Sequence, residues 1–206
     1  MEHITVMSEG MGEYSEKHSR FIGFIIPCKN EQEVSRIIAE KRKKYWDARH
    51  AVYAYILADG TARFSDDGEP HGTAGKPVLE VLSSSGIKNA VVVVIRYFGG
   101  ILLGTGGLVR AYTAAAKAAV QNCSKAKTVP ACRFTVNVSY AEYDRFLFLL
   151  HDFGAIIEKS NFADKVSLQF TVKSSLSDNC ITKISEAFSS SLLPEFEEKT
   201  EIYDKI

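Results

Sequence analysis

Cysteine, proline and tryptophan are scarce in this chain, numbering 4, 5 and 1 among 206 residues. Cys28, Cys123, Cys132 and Cys180 form no Cys-x-x-Cys pair, and their wide spacing suits neither a zinc site nor a dense disulfide framework. Reduced thiols in a cytoplasmic protein are expected. No apolar stretch approaches the roughly 20 residues that cross a bilayer, and the first residues lack a basic segment leading into an apolar one. Neither export nor a membrane partner is indicated. Net charge is missing too, because 25 Lys+Arg balance 25 Asp+Glu. The balance is uneven along the chain: residues 1–129 carry 17 cationic against 13 acidic side chains, and residues 130–206 carry 8 against 12. That permits a local basic patch in the first part, without the strong overall charge of a dedicated nucleic-acid-binding domain.

What the chain does have is an apolar fraction of 46%, enough to fill a real core, and one stretch around which the rest is organised. Ala90 to Ile95 is an unbroken apolar run, read as a strand buried on both faces. It leads through Gly99, Gly100, Gly104, Gly106 and Gly107 into the Ala-rich segment Leu108 to Val120, read as a helix. Strand, glycine loop and helix together point backbone N–H groups and a helix dipole at one spot, which suits an anion such as phosphate. Arg96 and Arg110 flank the joint.

Ahead of it, Met7 to Gly12 reads as a lead-in or a turn between short strands, and Phe21 to Ile26 as a strand. Asn30 with Glu33 predicts a capped helix that reaches about Tyr45 and ends in the cations Lys41 to Lys44. Ala51–Leu57 and Thr61–Ser65 flank Asp59-Gly60, a hairpin signal. Asp66 to Gly75 is a loop, and Pro77 is suited to open a helix that runs to about Ser85. Pro130 marks a junction. Beyond it, strands at 131–140, 155–159, 165–173 and 200–203, with helices at 142–153 and 177–190, give the order βαββαβ of a ferredoxin-like sandwich. The expected domains are residues 1–128 and 129–206.

The glycine loop matches neither common nucleotide motif. Val109 stands where a dinucleotide fingerprint needs its third glycine, and Thr105 where a Walker loop needs lysine. Cofactors are not expected. Asp66, Asp67 and His71 are weak candidates for acid–base chemistry, with no nucleophile beside them, and their spacing is not that of a calcium or other metal loop. A loop held by carboxylate–backbone hydrogen bonds is the alternative. His50 reads as a structural or rim histidine. Tyr97 and Phe98 are candidates to stack on a base or a partner side chain, or to pack in the core.

Phe64 to Pro77 (FSDDGEPHGTAGKP) followed by Val94 to Tyr112 (VIRYFGGILLGTGGLVRAY) resembles the signature of the IMPACT/YigZ family. The resemblance implies an α+β chain: an α/β sandwich like the second domain of ribosomal protein S5, then a small ferredoxin-like domain. This pair is similar in order and type to two adjacent domains of translation elongation factor G, which implies ribosome or RNA association. Eukaryotic relatives regulate translation by competing for the activator of a starvation-responsive kinase, using an additional N-terminal domain. His71 and Ile95 depart from the small polar residues expected at their positions.

The reading is a non-enzymatic, translation-associated regulator that binds RNA or a ribosomal surface. Lys76, Arg96 and Arg110 would reach phosphate, and Gly99, Gly100, Gly104, Thr105, Gly106 and Gly107 would present N–H groups to it. A protein-interaction regulator built on the same loops is the alternative, and a hydrolase of a phosphorylated small molecule ranks third.

Overall fold

A computed structural model describes residues 2–188 and 192–205, which divide into two compact units, His3–Lys127 and Thr128–Asp204 apart from the extreme termini. The first contains β1 (His3–Val6), β2 (Gly10–Glu16), β3 (Ser19–Pro27), α1 (Glu31–Lys44), β4 (His50–Ile56), β5 (Ala62–Ser65), α2 (Gly75–Ser84), β6 (Ala90–Tyr97) and α3 (Gly104–Gln121). Strands β2-β3-β6-β4-β5 form one antiparallel sheet with β6 at its centre. Because side chains alternate along a strand, Val92 and Val94 join the core under α2 and α3, whereas Val91, Val93 and Ile95 join the core under α1. This double burial is why β6 is apolar without interruption.

The Ala-rich helix is equally explicable. A Cβ on Gly23 would lie 2.3 Å from Ala115 O, and one on Gly12 would lie 2.4 Å from Ala118 Cβ. Helix α3 therefore lies directly on the backbones of β2 and β3, an approach that only small residues on both sides allow. On the other face, Asn30 Oδ1 accepts from Glu33 N at 2.9 Å and Glu33 Oε2 accepts from Lys29 N at 2.8 Å, a reciprocal cap that starts α1. The cations that end α1 are not uniformly solvated. Lys41 is buried, 2.6 Å from Glu9 Oε1 and over the Phe24 ring, and Arg42 is paired with Asp67.

The second unit holds most of β7 (Lys125–Val138), then α4 (Tyr140–Asp152), β8 (Ile156–Phe162), β9 (Val166–Lys173), α5 (Ser177–Ala187) and β10 (Glu195–Lys205). Its strand order β10-β7-β9-β8 is the ferredoxin-like 4-1-3-2 arrangement. Phe146 and Leu150 of α4 and Cys180 and Ile184 of α5 share a core with Phe134, Leu168 and Phe170 of the sheet. Gly154, at φ +60°, closes α4, with its N–H donated to His151 O and that of Ala155 to Leu150 O.

Several boundaries differ from the sequence reading, among them the start of α2 at Gly75, two residues before Pro77. Gly10 to Gly12 lie inside β2 rather than in a turn, because their missing side chains admit α3. Strand β7 begins at Lys125 and passes through Pro130, just before its pairing with β9 starts at Ala131, and Pro130 O accepts from Ser174 N at 2.9 Å. Strand β10 is longer than residues 200–203. Helix α5 ends at Ala187, and residues 189–190 of the expected helix lie outside the described residues.

Candidate functional site

The acidic loop is built by its own carboxylates. Asp66 Oδ1 accepts from Gly75 N at 2.8 Å and Ala74 N at 3.1 Å, and Oδ2 accepts from Gly72 N at 2.8 Å. Two of these donors lie at the start of α2, whose N-cap Ala74 has no side chain to offer, so Asp66 caps the helix from a distance in sequence. Burial raises the Asp66 pKa, but these three donors outweigh it and hold the carboxyl below the usual range. Asp67 and Gly68 both take positive φ, at 47° and 84°, and Glu69 N closes the turn onto Asp66 O. Asp67 Oδ2 accepts from Ala51 N at 2.6 Å, which ties the loop to β4.

Glu69 is the buried anchor. Its Oε1 accepts from Arg96 Nη1 at 2.6 Å and from the Tyr112 hydroxyl at 2.7 Å, and His50 Nε2 stands 3.8 Å away. Burial first, then donation to Glu69, pushes the Tyr112 hydroxyl strongly toward the neutral form. His50 Nδ1 donates to Asp67 O at 2.8 Å, so the histidine bridges the turn and the anchor. One carboxylate thereby links the acidic loop (Glu69), the end of β6 (Arg96), the start of β4 (His50) and α3 (Tyr112).

Above this cluster opens a cleft of about 340 Å³. Its polar lining is Arg49, His50, Glu69, Arg96 and Thr105, and its apolar lining includes Phe98, Leu102, Leu103 and Leu108. Gly104 and Thr105 bring the first turn of α3 to its wall, where the N-cap residue Leu103 makes no side-chain cap. The first N–H groups of α3 consequently have no intrahelical acceptor. Arg49 is exposed, lies 5.4 Å from the Phe98 ring and has no ion-pair partner among the described residues.

The residues singled out from the sequence are distributed unevenly around this cleft. Gly104, Thr105, Arg96 and Phe98 line it. Arg96 is buried and neutralised by Glu69, so it shapes the floor instead of standing free for phosphate. Tyr97 points to the opposite face of the sheet, where its hydroxyl donates to Asp47 Oδ1 at 2.9 Å. Gly99 does not line the cleft: its Cβ would fall 2.1 Å from the His18 backbone carbon, which makes it a packing glycine. Gly100 and Gly104 need their positive φ, and Gly107 abuts Leu103. Gly106 has an ordinary φ and open space around it. Arg110 is exposed with its guanidinium 3.8 Å from Glu16, Lys76 is exposed on α2, and His71 is almost wholly exposed beside Asp66. Asp66 and Asp67 are occupied by backbone donors and Arg42, and no cluster among the described residues has the make-up of a metal site.

Helix α3 starts at Gly104, not at Leu108, so part of the expected glycine loop is helix. Arg49 and Glu69 were missed as site residues. The Glu69 signal was its place in the acidic loop, while Arg49 becomes relevant only through the pairing of His50 with Arg96 in the β4–β6 register.

Residues 17–120, which include both loops and every cleft residue, match the Impact N-terminal domain, and residues 136–191 match a domain of unknown function, DUF1949. The chain belongs to the IMPACT family. It is 32% identical over 195 residues to an IMPACT family member of Haemophilus influenzae, covering 93% of this chain and 91% of that protein. It is 45% identical over 112 residues to IMPACT family member YvyE of Bacillus subtilis, but that match spans only 53% of this chain and 52% of YvyE, about half of each. A crystal structure of a hypothetical protein aligns with TM-score 0.65 and 29% identity, over 96% of this chain and 98% of that one. The chain thus pairs an α/β unit, matched by the Impact N-terminal domain, with a smaller ferredoxin-like unit, matched by DUF1949. No helix among the described residues is long and apolar enough to cross a membrane.

Proposed function

We propose that this IMPACT family member is a non-enzymatic, translation-associated regulator that binds RNA at the cleft between the acidic loop and the start of α3. The observation that carries the reading is the combination at one mouth of an uncapped helix N-terminus and an unpaired guanidinium, Arg49, against the exposed ring of Phe98. Backbone N–H groups and Arg49 suit phosphate, and the aromatic ring suits a base. Arg110 and Lys76 add exposed positive charge outside the cleft. The acidic loop contributes rigidity: its carboxylates are turned onto backbone N–H groups and cations, so they do not repel a polyanion as free charges would.

Filter binding of a labelled ribosomal RNA fragment across a salt series tests this. The chain should bind with a negative salt slope, and an Arg49→Glu, Arg110→Glu double variant should lose at least tenfold in affinity with a shallower slope, since each phosphate contact contributes about 0.7–0.9 to it. Unchanged binding by the folded double variant contradicts the assignment. A second reading, a protein partner on the same face, is favoured by the exposure of Ile101 at 47% and Leu102 at 81%. Partners that remain bound after nuclease treatment would select it.

A further inference from the structure

We propose that the cleft receives a single unpaired nucleotide, its base against the Phe98 ring and the Leu102–Leu103–Leu108 wall, its phosphate at Arg49 and the first turn of α3. This rests on the RNA reading above and narrows it from RNA in general to single-stranded RNA. Size comes first: about 340 Å³ lies at the small end of ligand clefts and accommodates one base with its sugar, not a duplex. The chemistry of the lining is divided in the same way as a nucleotide. Apolar and aromatic groups occupy one part, the uncapped α3 N-terminus and Arg49 another, and His50 and Glu69 lie at the floor, where hydrogen-bonding groups read a base edge.

One glycine points to an occupant of the cleft mouth, Gly106. Every other glycine from Gly99 to Gly107 has a packing or positive-φ reason, whereas a Cβ at Gly106 would meet nothing nearer than Arg110 Nη1 at 3.8 Å. A bare backbone in the first turn lets a phosphate approach the N–H groups closely.

The experiment compares a single-stranded RNA 12-mer containing 2-aminopurine with a hairpin duplex of the same composition. The single strand should bind at least tenfold more tightly, and 2-aminopurine fluorescence should change on binding as its base leaves its neighbours for the protein. Phe98→Ala should weaken single-strand binding about tenfold and abolish the fluorescence change, while Phe98→Trp keeps both. Should Phe98→Ala fail to fold, Leu102→Asp, at a solvent-exposed position, should have the same effect. Equal affinity for duplex and single strand, or parental binding by Phe98→Ala and Leu102→Asp, overturns this inference and leaves RNA binding standing. If neither RNA binds, both readings are overturned.

Discussion

Carboxylates serve different ends in the two units. In the first, Asp66, Asp67 and Glu69 turn inward, and Glu69 has 4% of its side chain exposed. In the second, Glu158, Glu197 and Glu198 form a network with Arg133, Thr135, Gln169 and Thr171 that is partly exposed, with the Glu198 side chain 57% accessible. Glu158 is held below the usual carboxylate range, chiefly by the Thr171 hydroxyl, against burial and with help from Arg133. Both networks are dense, yet only the first organises anything around it. A buried carboxylate fixes the groups that satisfy it, because leaving them unsatisfied is costly, while a surface network exchanges its partners for water. The cleft is where the costly network lies.

That contrast can be broken most forcefully at Glu69. Glu69→Ala leaves the Arg96 charge buried and the Tyr112 hydroxyl without its acceptor, and should destabilise the first unit by about 3–5 kcal/mol in chemical denaturation. Asp66→Ala follows, at about 1–3 kcal/mol for stranded backbone donors. Its pH dependence sharpens the point. The folded pKa lies below the unfolded value of about 3.9, so the stabilisation is complete above that value and is lost as pH falls through the folded pKa. Thermal melts from pH 7 to pH 3 should therefore show a smaller loss of stability in Asp66→Ala than in the parent chain. Gly23→Ala comes next, at about 1–3 kcal/mol from the contact with Ala115 O. The smallest effect belongs to the second unit, where Lys173→Ala removes a pair with Asp204 whose members are 37% and 48% exposed. A change of about 0–1 kcal/mol is expected; a loss matching that of Glu69→Ala would erase the distinction between the units.

The legible parts of the fold were those governed by local rules. Asn30 and Glu33 announced α1, Asp59-Gly60 its hairpin, Gly154 the end of α4, and Ala90 to Ile95 the central strand. The family signature supplied the pairing of the acidic and glycine loops as one unit. What local rules could not reach was the destination of side chains. Arg96 reads as a free cation beside a glycine loop until Glu69, 27 positions earlier, is seen to neutralise it. Gly99 reads as one of a set of anion-binding glycines until the His18 backbone is found against it. Arg49 carries no motif, and only sheet register brings it to Phe98. Strand β2 was obscured because Gly10 and Gly12 are chosen for contact with α3, a tertiary demand that overrides strand propensity.

The most direct test of the account is an amide NMR titration of the folded chain with a single-stranded RNA 12-mer. The predicted result is a contiguous set of shifted resonances at Arg49, Phe98, Gly104, Thr105 and Gly106, with the sheet face of the second unit unmoved. Shifts confined to residues of the second unit, or none at saturating RNA, would contradict it.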